Sequence, residues 1–109
     1  MPKDALVSYT QVDADGVITA GLHGELDVDT ADTVRDSLAE VAVRPECRFL
    51  QVDVSGLTFI DSYAMGALVS ARNTAAAAGA TLTLTRPSPP VRKAIEVTGL
   101  GDVFGLPAS

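Results

Sequence analysis

The residue of this chain with the clearest chemical use is a serine at the predicted start of a helix. Ser62 follows Asp61, and the residues after it carry the pattern of a helix that runs to about residue 78. Because the free N–H groups and the dipole at a helix N-terminus favour negative charge, a phosphate would be well placed there. Ser62 is therefore a candidate site at which a phosphate is added and a partner protein senses it.

The same residues also have a purely structural explanation. Serine and aspartate are preferred N-cap residues, and either Asp61 or Ser62 in that position would stabilise the helix by ~1 kcal/mol. A capping role and a role as phosphoacceptor are compatible, so the sequence leaves both open for Ser62.

Other combinations of reactive side chains are too sparse to predict catalysis. Asp53 and Asp61 are a conceivable acid/base pair, but the sequence supplies no nucleophile, oxyanion hole or deep pocket around them. The chain has 1 histidine, His23, and 1 cysteine, Cys47, which is too few ligands for a metal site. We therefore predict that the chain is not an enzyme and that it holds no cofactor and no metal.

The elements that would position Ser62 follow from hydrophobic periodicity and turn residues. Strands are predicted at residues 6–12, 17–22, 49–54 and 81–85, with turns at 13–16 and 55–58. Helices are predicted from Ala31 to a stop at Pro45, over residues 62–78, and from Ser88-Pro89 to a cap at Gly99-Leu100. The residues expected to face the core are Ala31, Val34, Leu38 and Val41 in the first helix and Ala64, Leu68, Ala71, Ala75 and Ala78 in the second.

The order of these elements predicts the fold class. A hairpin opens the chain, and the strand at 49–54, the helix at 62–78 and the strand at 81–85 form a parallel, right-handed unit. The expected fold is α/β, a single domain over residues 1–109 with a mixed four-stranded sheet and helices packed on it. Ser62 then lies just after a strand, where functional groups are commonly held by a rigid scaffold.

Charge and composition narrow the classes of partner. The net charge of −6 argues against nucleic acid or membrane as a direct partner and favours a partner with a basic surface. No apolar run approaches the ~18 residues of a membrane helix, and the first residues lack the apolar stretch of a signal peptide. A lone cysteine fits a reducing compartment, so we expect a cytoplasmic protein.

Several segments of the chain also resemble one known family. They are Gly24-Glu25-Leu26-Asp27 with Thr30-Ala31, the run from Val52 to Ser62, Ser88-Pro89-Pro90-Val91-Arg92-Lys93, and Thr98-Gly99-Leu100. In this order they resemble the STAS domain family, and within it the small bacterial anti-sigma factor antagonists. The middle segment, which contains Asp61 and Ser62, is the most specific.

The resemblance implies a regulatory switch in sigma-factor-dependent transcription. In such antagonists, an anti-sigma factor with a histidine-kinase-like ATPase domain phosphorylates the serine that corresponds to Ser62. The unphosphorylated antagonist holds that anti-sigma factor, and the phosphorylated antagonist releases it; a serine phosphatase is a further implied partner. The resemblance places the partner-binding surface at Asp27, Asp61, Tyr63, Ala64 and Met65.

The residues after Ser62 depart from the family pattern and keep a second hypothesis open. Family members that are good substrates generally carry a second serine or threonine, then glycine and leucine, where this chain has Tyr63, Ala64 and Met65. The alternative is a STAS binding module that is not phosphorylated and serves as an adaptor subunit of a signalling or lipid-transport complex. A nucleotide-binding enzyme is a third, less favoured class.

Overall fold

Strands and helices alternate along most of the chain. The structure is a computed structural model that describes residues 6–9, 13 and 15–106, with the backbone alone for residues 6, 8 and 9. The strands of this described part are β1 (Leu6–Tyr9), β2 (Val17–Leu26), β3 (Phe49–Ile60) and β4 (Thr81–Thr85). Its helices are α1 (Ala31–Ala42), α2 (Ser62–Ala77) and α3 (Pro89–Thr98).

The strands that the structure describes form one sheet in the order β1-β2-β3-β4. β1 is antiparallel to β2, whereas β2, β3 and β4 are parallel to one another. The predicted α/β fold, with helices packed on a sheet, is confirmed. Residues 10–12 and 14 of the predicted hairpin lie outside the described residues, and Gly16 closes its turn by donating to the carbonyl oxygen of Asp13 at 3.1 Å.

The core is built from alternate strand residues and from small residues on α2. α1 packs on α2, α2 packs on β4 and α3 packs on β3. The predicted core positions of α1 and α2 are buried, with the exception of Ala78. Ala78 is exposed because α2 ends at Ala77 and Ala78 is its C-cap. The α2 alanines let this helix lie close to the sheet, which fixes the position of its N-terminus.

β2 and β3 are longer than the sequence pattern indicated. The predicted turn at residues 55–58 is wrong, because β3 continues to Ile60 and pairs there with the extended end of β2. The register shifts between Gly21 and His23 and again between Gly24 and Glu25. Gly56 permits this close pairing, since a Cβ at Gly56 would lie 2.8 Å from the carbonyl oxygen of Leu22. The extra residues lengthen β3 so that only Asp61 separates the end of the strand from Ser62.

α3 begins and ends close to its predicted bounds. Ser88 is the N-cap residue, but its hydroxyl donates to the carbonyl oxygen of Leu57 at 2.7 Å and does not cap the helix. At the other end Gly99 has a left-handed backbone with φ of 73°, and its N–H donates to Glu96, as the predicted glycine cap requires. The Ser88 hydroxyl therefore ties α3 to the irregular part of β3.

Within residues 6–9, 13 and 15–106, none of the helices combines the length and the apolar character of a membrane span.

Two glycines allow a matched test of this packing. Gly56→Ala is expected to lower the free energy of unfolding by about 1–3 kcal/mol, because its Cβ would press on the Leu22 carbonyl oxygen and on the His23 ring. Gly66→Ala is expected to raise it by about 0.5–1 kcal/mol, because Gly66 lies in the interior of α2 and a Cβ there meets nothing within 4 Å. Urea unfolding of both variants measures the two values, and equal effects would contradict the described pairing of β2 with β3.

Candidate functional site

Asp61 joins the end of β3 to the start of α2. Its backbone is extended, and its side-chain Oδ1 accepts a hydrogen bond from the N–H of Ala64 at 2.8 Å. Its own N–H donates to the carbonyl oxygen of Leu26, the last residue of β2, at 3.2 Å. Asp61 is therefore the N-cap of α2, and it is fixed to the neighbouring strand as well as to the helix.

Ser62 is the first residue of α2 and is exposed. Because Asp61 supplies the cap, the structure does not use the Ser62 hydroxyl for that purpose. Within the described part of the chain, no group forms a hydrogen bond with this hydroxyl. The hydroxyl is thus accessible to an enzyme in solution, and it belongs to the first residue of α2, at the end of the helix where N–H groups lack intrahelical partners.

Asp27 lies in the turn between β2 and α1, beside Asp61. Its side chain is 6% exposed and accepts a hydrogen bond from the N–H of Asp29 at 3.0 Å. The N–H of Asp27 donates to the Thr30 hydroxyl at 3.0 Å, and the Ala31 N–H donates to the Asp27 carbonyl oxygen at 2.8 Å. Asp27 therefore shapes the turn, and little of its surface remains for direct contact with a partner.

The residues that follow Ser62 divide between surface and core. Tyr63 is 48% exposed, whereas Ala64 is 0% and Met65 is 3% exposed. The placement of Ala64 and Met65 on a partner-binding surface therefore needs correction, because helical geometry turns both side chains inward. The first turn of α2 presents Ser62 and Tyr63 to solvent.

Tyr63 links α2 to α1 through its hydroxyl group. The phenol donates to Oδ1 of Asp32 at 2.6 Å, and the same carboxylate oxygen is 3.3 Å from Nη1 of Arg35. Arg35 also donates from Nε to Oδ1 of Asp36 at 3.0 Å. The hydrogen bond to Asp32 and its negative charge raise the pKa of the Tyr63 phenol above its ordinary value. In the same way the hydrogen bond to Asp36 and its charge raise the pKa of Arg35.

A shallow groove of about 360 Å³ runs between the two helices beside Ser62. Its lining residues are Arg35, Ser62, Tyr63, Gly66, Ala67 and Ser70. Asp32 and Arg35 lie on the polar face of α1, but nothing in the sequence associates them with Ser62, because the contact between α1 and α2 joins residues about thirty positions apart.

Exposed apolar side chains surround this end of the sheet. Val28 follows Asp27, Phe59 is the last residue but one of β3, and Tyr63 lies in the first turn of α2. Because β2 and β3 are parallel, their carboxyl ends lie at one edge of the sheet and these side chains share it. The surface combines apolar groups with the carboxylates of Asp29 and Asp32, which suits a partner with apolar and basic residues.

The two aspartates considered as an acid/base pair do not form one. Asp53 lies within β3, where its side chain accepts from the Ser55 N–H at 2.9 Å and is 3.5 Å from Nε of Arg86. Although partial burial of Asp53 opposes ionisation, these contacts leave its pKa below the ordinary value. Asp61 lies eight residues further along, just after the end of β3. Because a strand rises about 3.3 Å per residue, the two carboxyl groups are too far apart to act together. Among the residues that the structure describes, no group of three or more metal-ligating side chains is close enough to hold a metal ion.

The link between Tyr63 and Asp32 gives a spectroscopic prediction. In a Tyr9→Phe background, which leaves 1 of the 2 tyrosines of the chain, the pKa of the Tyr63 phenol is expected to lie above that of an ordinary tyrosine. Asp32→Asn should lower this pKa, because the charge that stabilises the protonated phenol is removed. Absorbance at the phenolate band during a pH titration measures both values, and Asp36→Asn serves as the control because Asp36 bonds to Arg35 and not to Tyr63.

Comparisons with known proteins place this geometry in a family. The model of the STAS domain family matches residues 10–109. The chain is 29% identical over 91 residues to the anti-sigma F factor antagonist of Paenibacillus polymyxa, covering 84% of this chain and 78% of that protein. It is 33% identical over 94 residues to a STAS-domain containing protein of Pseudomonas aeruginosa, covering 85% of this chain and 91% of that protein.

Solved structures show the same fold. The anti-sigma factor antagonist SpoIIAA in its unphosphorylated form superposes with a TM-score of 0.76 at 23% identity, covering 95% of this chain and 89% of that chain. The Bacillus cell fate determinant SpoIIAA in the phosphorylated form gives a TM-score of 0.65 at 25% identity, covering 95% and 92%. From the family match over nearly the whole length, and from the arrangement of strands and helices, we conclude that this chain belongs to the STAS domain family.

Proposed function

We propose that this STAS domain is an anti-sigma factor antagonist that is controlled by phosphorylation of Ser62. The observation that carries the proposal is the exposed Ser62 hydroxyl, which has no partner among the described residues and opens α2 at the carboxyl edge of the parallel strands. Unphosphorylated protein binds the anti-sigma factor and so frees the sigma factor. Phosphorylated protein releases the anti-sigma factor.

The relatives support this proposal. The Paenibacillus polymyxa relative is named an anti-sigma F factor antagonist, and SpoIIAA has been solved in unphosphorylated and phosphorylated forms. The proposed partner of this chain is accordingly an anti-sigma factor with a histidine-kinase-like ATPase domain. A serine phosphatase would reverse the modification.

The phosphorylation step requires little from the antagonist. The partner transfers the γ-phosphoryl group of ATP to the Ser62 oxygen, so that the bond from phosphorus to the ADP oxygen breaks and a bond from phosphorus to Oγ forms. The hydroxyl proton passes to a base of the kinase, and ADP is the leaving group. The kinase supplies the nucleotide, the Mg²⁺ and the base, while the antagonist supplies an accessible hydroxyl at a fixed position.

Charge explains how the modification would weaken binding. A phosphate on Ser62 adds about −1.5 to −2 charges at neutral pH. The phosphate would lie beside the exposed ring of Tyr63 at the start of α2, so a partner that contacts this ring would have to remove water from a dianion. A hundredfold loss of affinity requires ~2.8 kcal/mol, which desolvation of one dianion at a partly apolar interface readily supplies.

A second candidate function rests on Tyr63. Its ring lies beside Ser62 and is fixed by the hydrogen bond to Asp32, where good substrates of the family generally have a small hydroxyl residue. A fixed aromatic ring suits a permanent contact. It offers apolar area to a partner, and because its torsion angles are already restricted, binding costs little further side-chain entropy. In this alternative the chain is a constitutive binding module, such as an adaptor subunit, and Ser62 is not modified.

Phosphorylation of Ser62 can be tested directly. The purified protein is incubated with the histidine-kinase-like anti-sigma factors of its source organism, ATP and Mg²⁺, and the phosphate is mapped by mass spectrometry. We expect one phosphate on Ser62, none on Ser62→Ala, and unchanged labelling of Thr74→Ala, whose exposed hydroxyl lies twelve residues further along α2. Absence of label on Ser62, while a known antagonist is labelled in parallel, would contradict the switch.

Affinity measurements separate the two candidate functions. For the antagonist, Ser62→Ala should bind the anti-sigma factor as tightly as the parent in the presence of ATP, whereas Ser62→Asp should bind at least tenfold more weakly. For a constitutive module, both variants should bind equally and ATP should have no effect. Isothermal titration calorimetry gives these dissociation constants, and Thr74→Asp controls for the added charge on α2.

A further inference from the structure

The groove between α1 and α2 brings a positive charge close to Ser62. Arg35 from α1 and Ser62 from α2 both line this space of about 360 Å³. Gly66, one turn after Ser62, also lines it, and a Cβ at Gly66 would meet no atom within 4 Å. The side of Ser62 that faces α1 is therefore open, and a group added to its hydroxyl has room to extend toward Arg35.

The ion pairs that Arg35 forms with Asp32 and Asp36 are exposed to solvent, so Arg35 can exchange one partner for another. Nη1 of Arg35 is 3.3 Å from Asp32, and Nε is 3.0 Å from Asp36. The side chain of Arg35 is 34% exposed, and those of Asp32 and Asp36 are 55% and 71% exposed. Exposed ion pairs of this type contribute little to stability, so a stronger anion can displace one of them.

We propose that Arg35 is the internal receptor for the phosphate on Ser62: on phosphorylation its guanidinium group turns from Asp32 to the phosphate oxygens. This inference rests on the proposed function, because it describes the state that phosphorylation creates. A guanidinium group matches phosphate oxygens with two parallel hydrogen bonds, which a single carboxylate oxygen at 3.3 Å does not offer. The phosphate also carries more charge than a carboxylate.

The exchange leaves the other contacts of α1 in place. Asp36 bonds to Nε of Arg35, so that contact persists while Nη1 leaves Asp32. Asp32 keeps the hydroxyl of Tyr63, and the aromatic ring therefore stays where it is. The phosphate is drawn over the groove toward α1, and the Asp32 carboxylate loses its cation. The phosphate itself supplies the added negative charge, while the positive charge of Arg35 moves from Asp32 to the phosphate.

The test installs phosphoserine at position 62 of the full chain by genetic encoding, so that no kinase is needed. The second ionisation of the phosphate, which has a pKa of about 6 without neighbours, is followed by ³¹P NMR. The midpoint is expected to be about half a pH unit lower in the parent than in Arg35→Gln, because the guanidinium favours the dianion. The carboxylates of Asp32, Asp36 and Asp61 and the phenol of Tyr63 face the same region, and they are common to both proteins.

Three further comparisons make the titration decisive. Arg72→Gln removes an equal charge ten residues along α2, about 15 Å from Ser62, and should leave the midpoint unchanged. In an Asp32→Asn background the shift caused by Arg35→Gln should persist, since it arises from the lost guanidinium and not from an uncovered Asp32. Arg35→Lys keeps the charge without the planar fork and should give an intermediate midpoint.

The outcomes are separable from those of the proposed function. Equal midpoints in the parent and Arg35→Gln, or a shift that disappears in the Asp32→Asn background, would overturn the role of Arg35. Both results leave the kinase experiment unaffected, because the phosphate was installed without it. Conversely, failure of the kinase to label Ser62 would remove the proposed function while this titration still reports whether Arg35 engages a phosphate at that position.

Discussion

The hydrogen bonds of Asp61 are the constraint on which the site depends. One bond, from its N–H to Leu26, fixes the end of β3 to the end of β2, and the other, from the Ala64 N–H to its carboxylate, fixes the start of α2. The change from strand to helix therefore occurs between Asp61 and Ser62. Ser62 becomes the first helical residue, with its hydroxyl in solvent, because its neighbour has taken the capping role.

The junction at Asp61 could be predicted from sequence because its signals are local. An aspartate and a serine before a segment of helical periodicity indicate a helix start with no knowledge of the rest of the fold. The end of β3 could not be predicted in the same way. Residues 55–58 have the composition of a turn, but β2 pairs with Gly56 and Leu57, and Gly56 allows the backbones to approach closely. Tertiary pairing here overrides local preference.

The candidate site shows the same division between local and distant information. The exposure of Ser62 and Tyr63 follows from their place at the start of α2, whereas the burial of Ala64 and Met65 depends on which face of that helix meets the core. The roles of Asp32 and Arg35 were beyond sequence reasoning because they depend on how α1 packs on α2. Their polar character marked them as surface residues, and the hydrogen bond from the Tyr63 phenol to Asp32 identifies them as part of the site.

A phosphate on Ser62 would stabilise the start of α2 and, at an interface, would weaken the binding of a partner. At the N-terminus of α2 the helix dipole and the free N–H groups favour the added charge by roughly 0.3–1 kcal/mol. At an interface the same charge would have to lose its water, which opposes association, whereas the helix contribution is present in the free and the bound protein alike. Because the favourable term is intramolecular, the domain would stay folded in both states. In the proposed switch the modification would change partner affinity, and the scaffold that presents Ser62 would need no second conformation.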